Sequence, residues 1–241
     1  MPSYTVSFLQ RFWEGVLDIV YPPFCLICGT PNQEYLCTEC TERIIFIEYP
    51  FCRRCGGPRV RPAAAYCECT DREYWFEQAR SVGVYEGVLR DAIHALKYDL
   101  RKVMADPLAR LMIRAFPNLY AGLQPDLVIP IPIHSTRLLE RGFNQSSELG
   151  KRLAQELRIP FNDKLLVKHT NTPDQIGLPE QQRALNVRGA FAVTRTKDVL
   201  GNKILLVDDV FTTGATANEA ARTLRQAGAS SVYIYTVARS I

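Results

Sequence analysis

The chain has 241 residues, 47% hydrophobic and 22% charged, which excludes a disordered, collagenous or low-complexity protein. A formal net charge of +4 is too mild to mark a nucleic-acid binder by itself. Residues 1–80 hold 8 Arg against 10 acidic residues, residues 81–241 hold 21 Lys and Arg against 15, and all eight cysteines lie from Cys25 to Cys69. The chain reads as two chemistries joined end to end, and the cationic second part fits either an anionic ligand or a solvated surface.

The first element expected is a short amphipathic helix within residues 1–24. Phe8, Leu9, Phe12, Trp13, Val16, Leu17 and Val20 recur at helical spacing, interrupted by Gln10, Arg11, Glu14 and Asp18. A signal peptide needs an uninterrupted apolar core and a span needs about 20 apolar residues, so neither fits. The helix is expected to pack on the rest of the protein, with an interfacial membrane role as the alternative. No other stretch could span, and the expected location is the cytoplasm.

Residues 25–72 form a cysteine module. The ligand candidates are Cys25, Cys28, Cys37, Cys40, Cys52, Cys55, Cys67 and Cys69, arranged as three CxxC pairs and one CxC. A CxxC turn puts two sulfurs on one side of a tight loop, and two such turns supply the tetrahedral sulfur set that suits zinc. Gly29, Gly56 and Gly57 follow two of the pairs, where a knuckle tolerates little side chain. Eight sulfurs make two four-cysteine zinc sites. Sequential pairing (the first four, then the last four) and interleaved pairing both remain open. A disulfide framework would need an oxidising compartment, and a redox CxxC comes singly at a helix start. The intervening segments are too short for a core, so metal would supply most of the folding energy. The segment Arg61–Ala65 reads as a loop inside the second site. Just beyond, Tyr74, Trp75 and Phe76 beside Arg72 offer stacking aromatics.

From residue 78 onward the pattern becomes α/β. Strands are expected at 81–85, 126–132, 164–167, 204–207 and 232–237. Helices are expected at 88–97, from Pro107, at 145–157 and at 218–227, the last ended by Gly228. Continuously apolar strands alternating with helices imply a mainly parallel twisted sheet covered on both faces. The polar segment 170–189, punctuated by Pro173, Gly177 and Pro179, has no place in that sheet and reads as a functional loop.

Residues 204–216, ILLVDDVFTTGAT, carry the sharpest motif. An apolar strand runs into Asp208–Asp209, and Thr212, Thr213, Gly214, Ala215 and Thr216 open a helix. Ligands of open α/β sheets sit beyond the carboxyl ends of the strands. A Thr/Gly turn at a helix N-terminus offers N–H groups and hydroxyls to a phosphate, favoured by the helix dipole. Adjacent acids repel phosphate and suit sugar hydroxyls, a Mg2+ shell or a cationic transition state. Sugar hydroxyls beside a monophosphate cradle describe a ribose 5-phosphate. Of the basic groups, Arg137 and Arg141 share a helical face when four apart. Lys151, Arg152, Arg183 and Arg188 have softer claims, His134 is a better candidate than His94, and His169 has no role.

That segment resembles the binding loop for phosphoribosyl pyrophosphate (PRPP) in the type I phosphoribosyltransferases. The whole chain resembles the ComF family (ComFC/GntX-like), a double zinc ribbon followed by that transferase fold. The carrying motifs are CLICG, CRRCG, IHALKY (93–98), PIPIHSTRLLERGFNQ (130–145) and QIGLPEQQRALNVRGAF (175–191). The resemblance implies that Asp208 and Asp209 bind the ribose 2- and 3-hydroxyls and support the oxocarbenium-like ribose. It implies that Thr212–Thr216 hold the 5-phosphate and that Pro132, Ile133 and His134 form the pyrophosphate loop, with Arg137 following it. It implies that 170–189 closes over the ligand, and that Mg2+ accompanies PRPP. For the family it implies competence or use of DNA as a nutrient, with single-stranded DNA, the competence helicase or other uptake proteins as partners. The expected division is therefore 1–24 helix, 25–72 zinc module and 78–241 phosphoribosyltransferase-like domain. Two readings follow: a PRPP-binding accessory of DNA uptake, and an active transferase with an unidentified acceptor.

Overall fold

The structure is a computed structural model, and it describes residues 24–59, 67, 69, 72–98, 101–172 and 185–241. Residues 1–23 of the segment expected to form a helix, the expected loop Arg61–Ala65, and residues 173–184 of the polar segment with Arg183 lie outside the described residues.

The second part is built on four parallel strands: β1 (Gln78–Val84), β2 (Leu127–Pro130), β5 (Lys203–Phe211) and β6 (Ser231–Arg239), in the order β1-β6-β5-β2. Ile204, Leu205, Leu206 and Val207 are all fully buried, as a strand covered on both faces requires. The odd-numbered Leu205 and Val207 face a cluster built from α2 (Gly87–Lys97), α3 (Ala105–Leu119) and α5 (Gln145–Leu157). The even-numbered Ile204 and Leu206 face α6 (Ala215–Gln226) and a small hairpin. This is the expected α/β architecture with a mainly parallel sheet.

Local sequence explains the elements that frame the site. Asn144 caps α5 by accepting from the Ser146 N–H at 3.1 Å, so the helix starts where its pattern predicts. The stretch after β2 turns into α4 (Ser135–Arg141), closed by Gly142 in the left-handed conformation. No residue of α4 is buried. The helix expected at 218–227 starts earlier, at Ala215, because Gly214 (φ 82°) turns the chain directly into it.

Two strands differ from expectation. β5 does not end at Val207 but continues through the acid pair to Phe211, because β6 extends alongside it. Lys164–Val167 does not join the parallel sheet. Its observed strand, β3 (Leu166–Lys168), pairs antiparallel with β4 (Phe191–Val193) in a separate two-stranded hairpin. Leu166 and Phe191 are the buried sides of that hairpin, which sits on the α6 face of the sheet.

The cysteine module docks on the outer edge of β1. Residues 45–47 lie antiparallel to it, with Val84 N–H donating to the Ile45 carbonyl at 2.8 Å and Ile47 N–H to the Val82 carbonyl at 2.9 Å. Ala79 N–H donates to the Arg54 carbonyl at 2.7 Å. An edge strand with free backbone groups is thereby covered. One short helix, α1 (Thr38–Glu42), starts from Cys37 as its N-cap and carries Cys40 on its buried side.

Candidate functional site

The stagger between strands makes the site. β2 stops at Pro130, opposite Val207, while β5 and β6 run on. The β2 side of residues 208–211 is left open, and the chain after β2 bends away there as the 131–134 loop. Ile131 N–H donates to the Val207 carbonyl at 2.8 Å, and Asn144 Nδ2 donates to the Ile131 carbonyl at 3.0 Å, which fixes where that loop begins. A cavity of about 420 Å3 fills this gap. Asp208, Asp209, Thr212, Gly214, Ala215 and Thr216 line one side of it, and Pro132, Ile133, His134 and Arg137 another. The structure thus brings nearly all the sequence-nominated site residues into one cleft at the carboxyl ends of the strands. Thr213 does not line it; its Oγ1 accepts from the Ala215 N–H at 3.4 Å.

Successive residues of a strand point to opposite faces, and the two acids acquire different partners. Asp209 is buried and pairs with the Lys97 ammonium at 2.7 Å. Burial works against the Lys97 charge, but the Asp209 carboxylate outweighs it and holds the ammonium above its ordinary pKa. Asp208 accepts from the Ser146 hydroxyl at 2.7 Å and from the Asp209 N–H at 2.9 Å. Loss of bulk solvent, and then the neighbouring Asp209 charge, push the Asp208 carboxyl up to about 7. The site therefore holds a reserve of protonatable carboxyl beside a fixed ion pair.

The phosphate-type loop depends on Gly214. Its φ of 82° disfavours a side chain, and a Cβ there would come within 2.5 Å of the Phe211 ring. Gly214 has no side chain with which to cap α6, the Ala215 N–H donates to Thr213 Oγ1, and Ala215 and Thr216 at the start of the helix line the cavity. His134 is held differently from a free ligand-binding histidine. It caps α4, with Nδ1 accepting from the Thr136 N–H at 3.3 Å, which leaves Nε2 as its outward nitrogen.

Several nominated residues fall elsewhere. Arg152 pairs with Glu148 at 3.1 Å and Asp106 at 3.4 Å and does not line the cavity, nor does Lys151. Arg188 lines a second cavity of about 390 Å3 with Trp75, Asn218 and Arg222. Of the expected stacking aromatics, Phe76 is buried and Tyr74 stacks on it at 4.5 Å, so only Trp75 stays open, 45% exposed. Lys97, Tyr98, His94, Arg141, Gln145 and Ser146 line the main cavity. Among these, Lys97, Tyr98, Gln145 and Ser146 were not nominated by sequence. Lys97 had a signal: it ends the apolar stripe Leu89–Ile93–Leu96 on the buried side of α2. Gln145 and Ser146 had none.

The cysteines pair sequentially. Cys25, Cys28, Cys37 and Cys40 form one set and Cys52, Cys55, Cys67 and Cys69 the other, with the four sulfurs of each within 4.8 Å of one another. The Sγ–Sγ distances of 3.8 Å (Cys28–Cys37), 3.5 Å (Cys52–Cys69) and 3.6 Å (Cys55–Cys67) are far from a disulfide bond of about 2.05 Å. They match the edge of a sulfur tetrahedron around zinc, about 3.8 Å for Zn–S of about 2.3 Å. The Cys37 N–H donates to Cys25 Sγ and the Cys40 N–H to Cys37 Sγ, each at 3.4 Å, and such donors favour the thiolate form of the sulfurs. The Thr30 hydroxyl brings Cys28 down to about 6. Four clustered thiolates repel one another, and a divalent cation resolves that repulsion. The residues present fit structural zinc.

Comparison with known proteins finds two family models in the chain. The double zinc ribbon domain matches residues 16–70, and the phosphoribosyl transferase domain matches residues 143–240. The fold and site define a phosphoribosyltransferase-type domain carrying a double zinc ribbon. The DNA utilization protein YhgH of Salmonella typhimurium is 30% identical over 229 residues, covering 92% of this chain and 100% of that protein. Competence protein F of Haemophilus influenzae is 31% identical over 212 residues, covering 85% of this chain and 90% of that protein. Competence protein ComFC of Bacillus subtilis is 29% identical over 223 residues, covering 86% and 85%. The chain belongs to the ComF family.

Proposed function

We propose that this protein binds PRPP, or a related phosphoribosyl ligand, in the main cavity and serves DNA uptake or DNA utilisation. The observation that carries the reading is the joining of the Asp208–Asp209 pair, the N-terminus of α6 behind Gly214 and the 131–134 loop in one cleft. In this reading Thr212–Thr216 hold the 5-phosphate by backbone N–H groups and hydroxyls. Asp208 and Asp209 hold the ribose 2- and 3-hydroxyls, and Pro132, Ile133, His134 and Arg137 take the pyrophosphate, neutralised by Mg2+. Lys97 keeps the acid pair from carrying two uncompensated charges.

The relatives named for competence and DNA utilisation support the biological assignment. The zinc module, 25–72, serves as a docking surface for an uptake protein such as the competence helicase, and the domain 78–241 carries the ligand. Single-stranded DNA, if bound, would track Arg137 and Arg141 on α4. No described helix is long and apolar enough to cross a membrane, and we place the protein's work in the cytoplasm.

One experiment separates a binding role from transferase activity. Purified zinc-loaded protein is given PRPP, Mg2+ and a panel of nucleobases, and pyrophosphate release is followed. The accessory reading predicts PRPP binding without acceptor-dependent release. Acceptor-dependent release that disappears in Asp208→Asn/Asp209→Asn would establish an active transferase instead.

A further inference from the structure

Gln145 is the first residue of α5, between the capping Asn144 and Ser146. It lines the main cavity, yet it is only 2% exposed. Its Nε2 is the one buried side-chain nitrogen or oxygen without a hydrogen-bond partner among the described residues. Native folds satisfy nearly all buried polar groups, and an orphaned donor in a ligand cavity points to an acceptor on the ligand. Two independent features therefore meet here: the N-terminus of a thirteen-residue helix and a buried amide with unmet hydrogen-bonding capacity.

The neighbouring chemistry says what kind of acceptor. The next residue, Ser146, already gives its hydroxyl proton to Asp208 at 2.7 Å. A carboxylate can only accept, whereas a sugar hydroxyl both donates and accepts. A hydroxyl that donates to Asp208 presents its own lone pairs for an N–H, and the Gln145 amide, one residue before Ser146 and lining the same cavity, can supply one. A phosphate oxygen fits less well at this place, because the Asp208 and Asp209 carboxylates repel it.

We propose that Gln145 is a specificity-determining residue that donates to the sugar hydroxyl held by Asp208, so that the site selects ribose 5-phosphates over a deoxyribose 5-phosphate. The proposal rests on the phosphoribosyl reading above. A site with a buried donor built for a hydroxyl rejects the analogue that lacks it, because the donor is left unmet.

The test is a cycle of calorimetric titrations on full-length, zinc-loaded protein. Ribose 5-phosphate, 2-deoxyribose 5-phosphate and 3-deoxyribose 5-phosphate are titrated into wild type and Gln145→Met. Wild type is expected to bind ribose 5-phosphate about 10-fold tighter than the deoxy sugar that lacks the hydroxyl read by Gln145. In Gln145→Met that preference is expected to collapse to about 2-fold, while affinity for the same deoxy sugar holds. Melting of the ligand-free variant at or above the wild-type temperature is also expected, since an apolar side chain of similar size removes the unmet donor. Gln145→Leu carries the same test should the methionine variant fail to fold. Unchanged penalties for both deoxy sugars, or an equal loss for all three ligands, would overturn the role of Gln145 and leave the phosphoribosyl reading standing. Wild type binding none of the three would overturn both.

Discussion

Lys97 shows how one side chain sets the state of the site. Its ammonium is the cation at 2.7 Å from the buried Asp209, and both side chains are largely shielded from water. Removing one member of such a pair leaves a buried charge uncompensated, at a cost of about 3 kcal/mol or more. Lys97→Met is therefore expected to lower the melting temperature at pH 7, measured by calorimetry. Asp208 gives a second, oppositely signed effect. Its carboxyl is raised to about 7 from an ordinary 3.8. The folded state thus holds a proton that the unfolded chain releases, and the stability so gained is full below about pH 4 and lost as pH rises through 7. Asp208→Asn keeps an oxygen for the Ser146 hydroxyl and removes the titration. It is expected to melt with wild type near pH 4 and above wild type at pH 8. A wild-type advantage at pH 8 would contradict a carboxyl that the fold keeps protonated. The acid pair itself was legible in sequence because chemistry and position coincide in ILLVDDVFTTGAT. Lys97 was half legible, as a lysine closing an apolar stripe. Gln145 was not, since an amide that opens a helix reads as surface until its burial is seen.

The element that defines the site is the overhang of β5 and β6 beyond β2. Sequence placed the end of the strand at Val207, because the apolar run ends there. The strand continues because backbone pairing with β6 needs no apolar side chains, and Asp208 and Val210 stay in register with Thr236 and Ala238. Hydrogen-bonding partners of a strand are invisible to hydropathy. The same blindness explains the β3–β4 hairpin, whose three-residue strands are too short for a period to register. Where a helix meets this overhang, a single glycine carries the geometry. Gly214→Ala is expected to weaken phosphoribosyl binding at least 10-fold, because its φ of 82° and the Phe211 ring both exclude a methyl group. Titration of PRPP with Mg2+ measures this, and an alanine variant that binds as wild type would remove Gly214 from the phosphate loop.

At the scale of the molecule, two parts of opposite charge are joined along one strand edge. Arg80 and Arg239 bridge them. The Arg80 guanidinium lies 4.8 Å from the Phe51 ring centroid and 5.7 Å from that of Tyr120. Arg239 donates to the Cys55 carbonyl at 2.5 Å, and its guanidinium sits 5.0 Å from the Phe211 ring centroid. Gly56, whose φ is 72°, lets the second knuckle press onto β1, where a Cβ would meet the Ala79 carbonyl at 2.4 Å, too close for any side chain. Purified protein is expected to carry two zinc ions, one per four-cysteine set. Chelation is expected to leave the parallel sheet intact while Ala79 and Val84 amides lose protection from hydrogen exchange, because their acceptors Arg54 and Ile45 belong to the module. Full protection after zinc loss would mean that the module folds without metal. The cysteine spacing made both zinc sites legible, yet the pairing needed three dimensions, since interleaved couples satisfy the same spacing.

The central claim is a phosphoribosyl site at the end of β5, and direct titration tests it most plainly. PRPP with Mg2+ is titrated calorimetrically into zinc-loaded wild type and into Asp208→Asn/Asp209→Asn. Saturable one-to-one binding by wild type, weakened at least 10-fold in the double variant, is the result predicted. Absence of binding by wild type, or equal binding by both proteins, would contradict it.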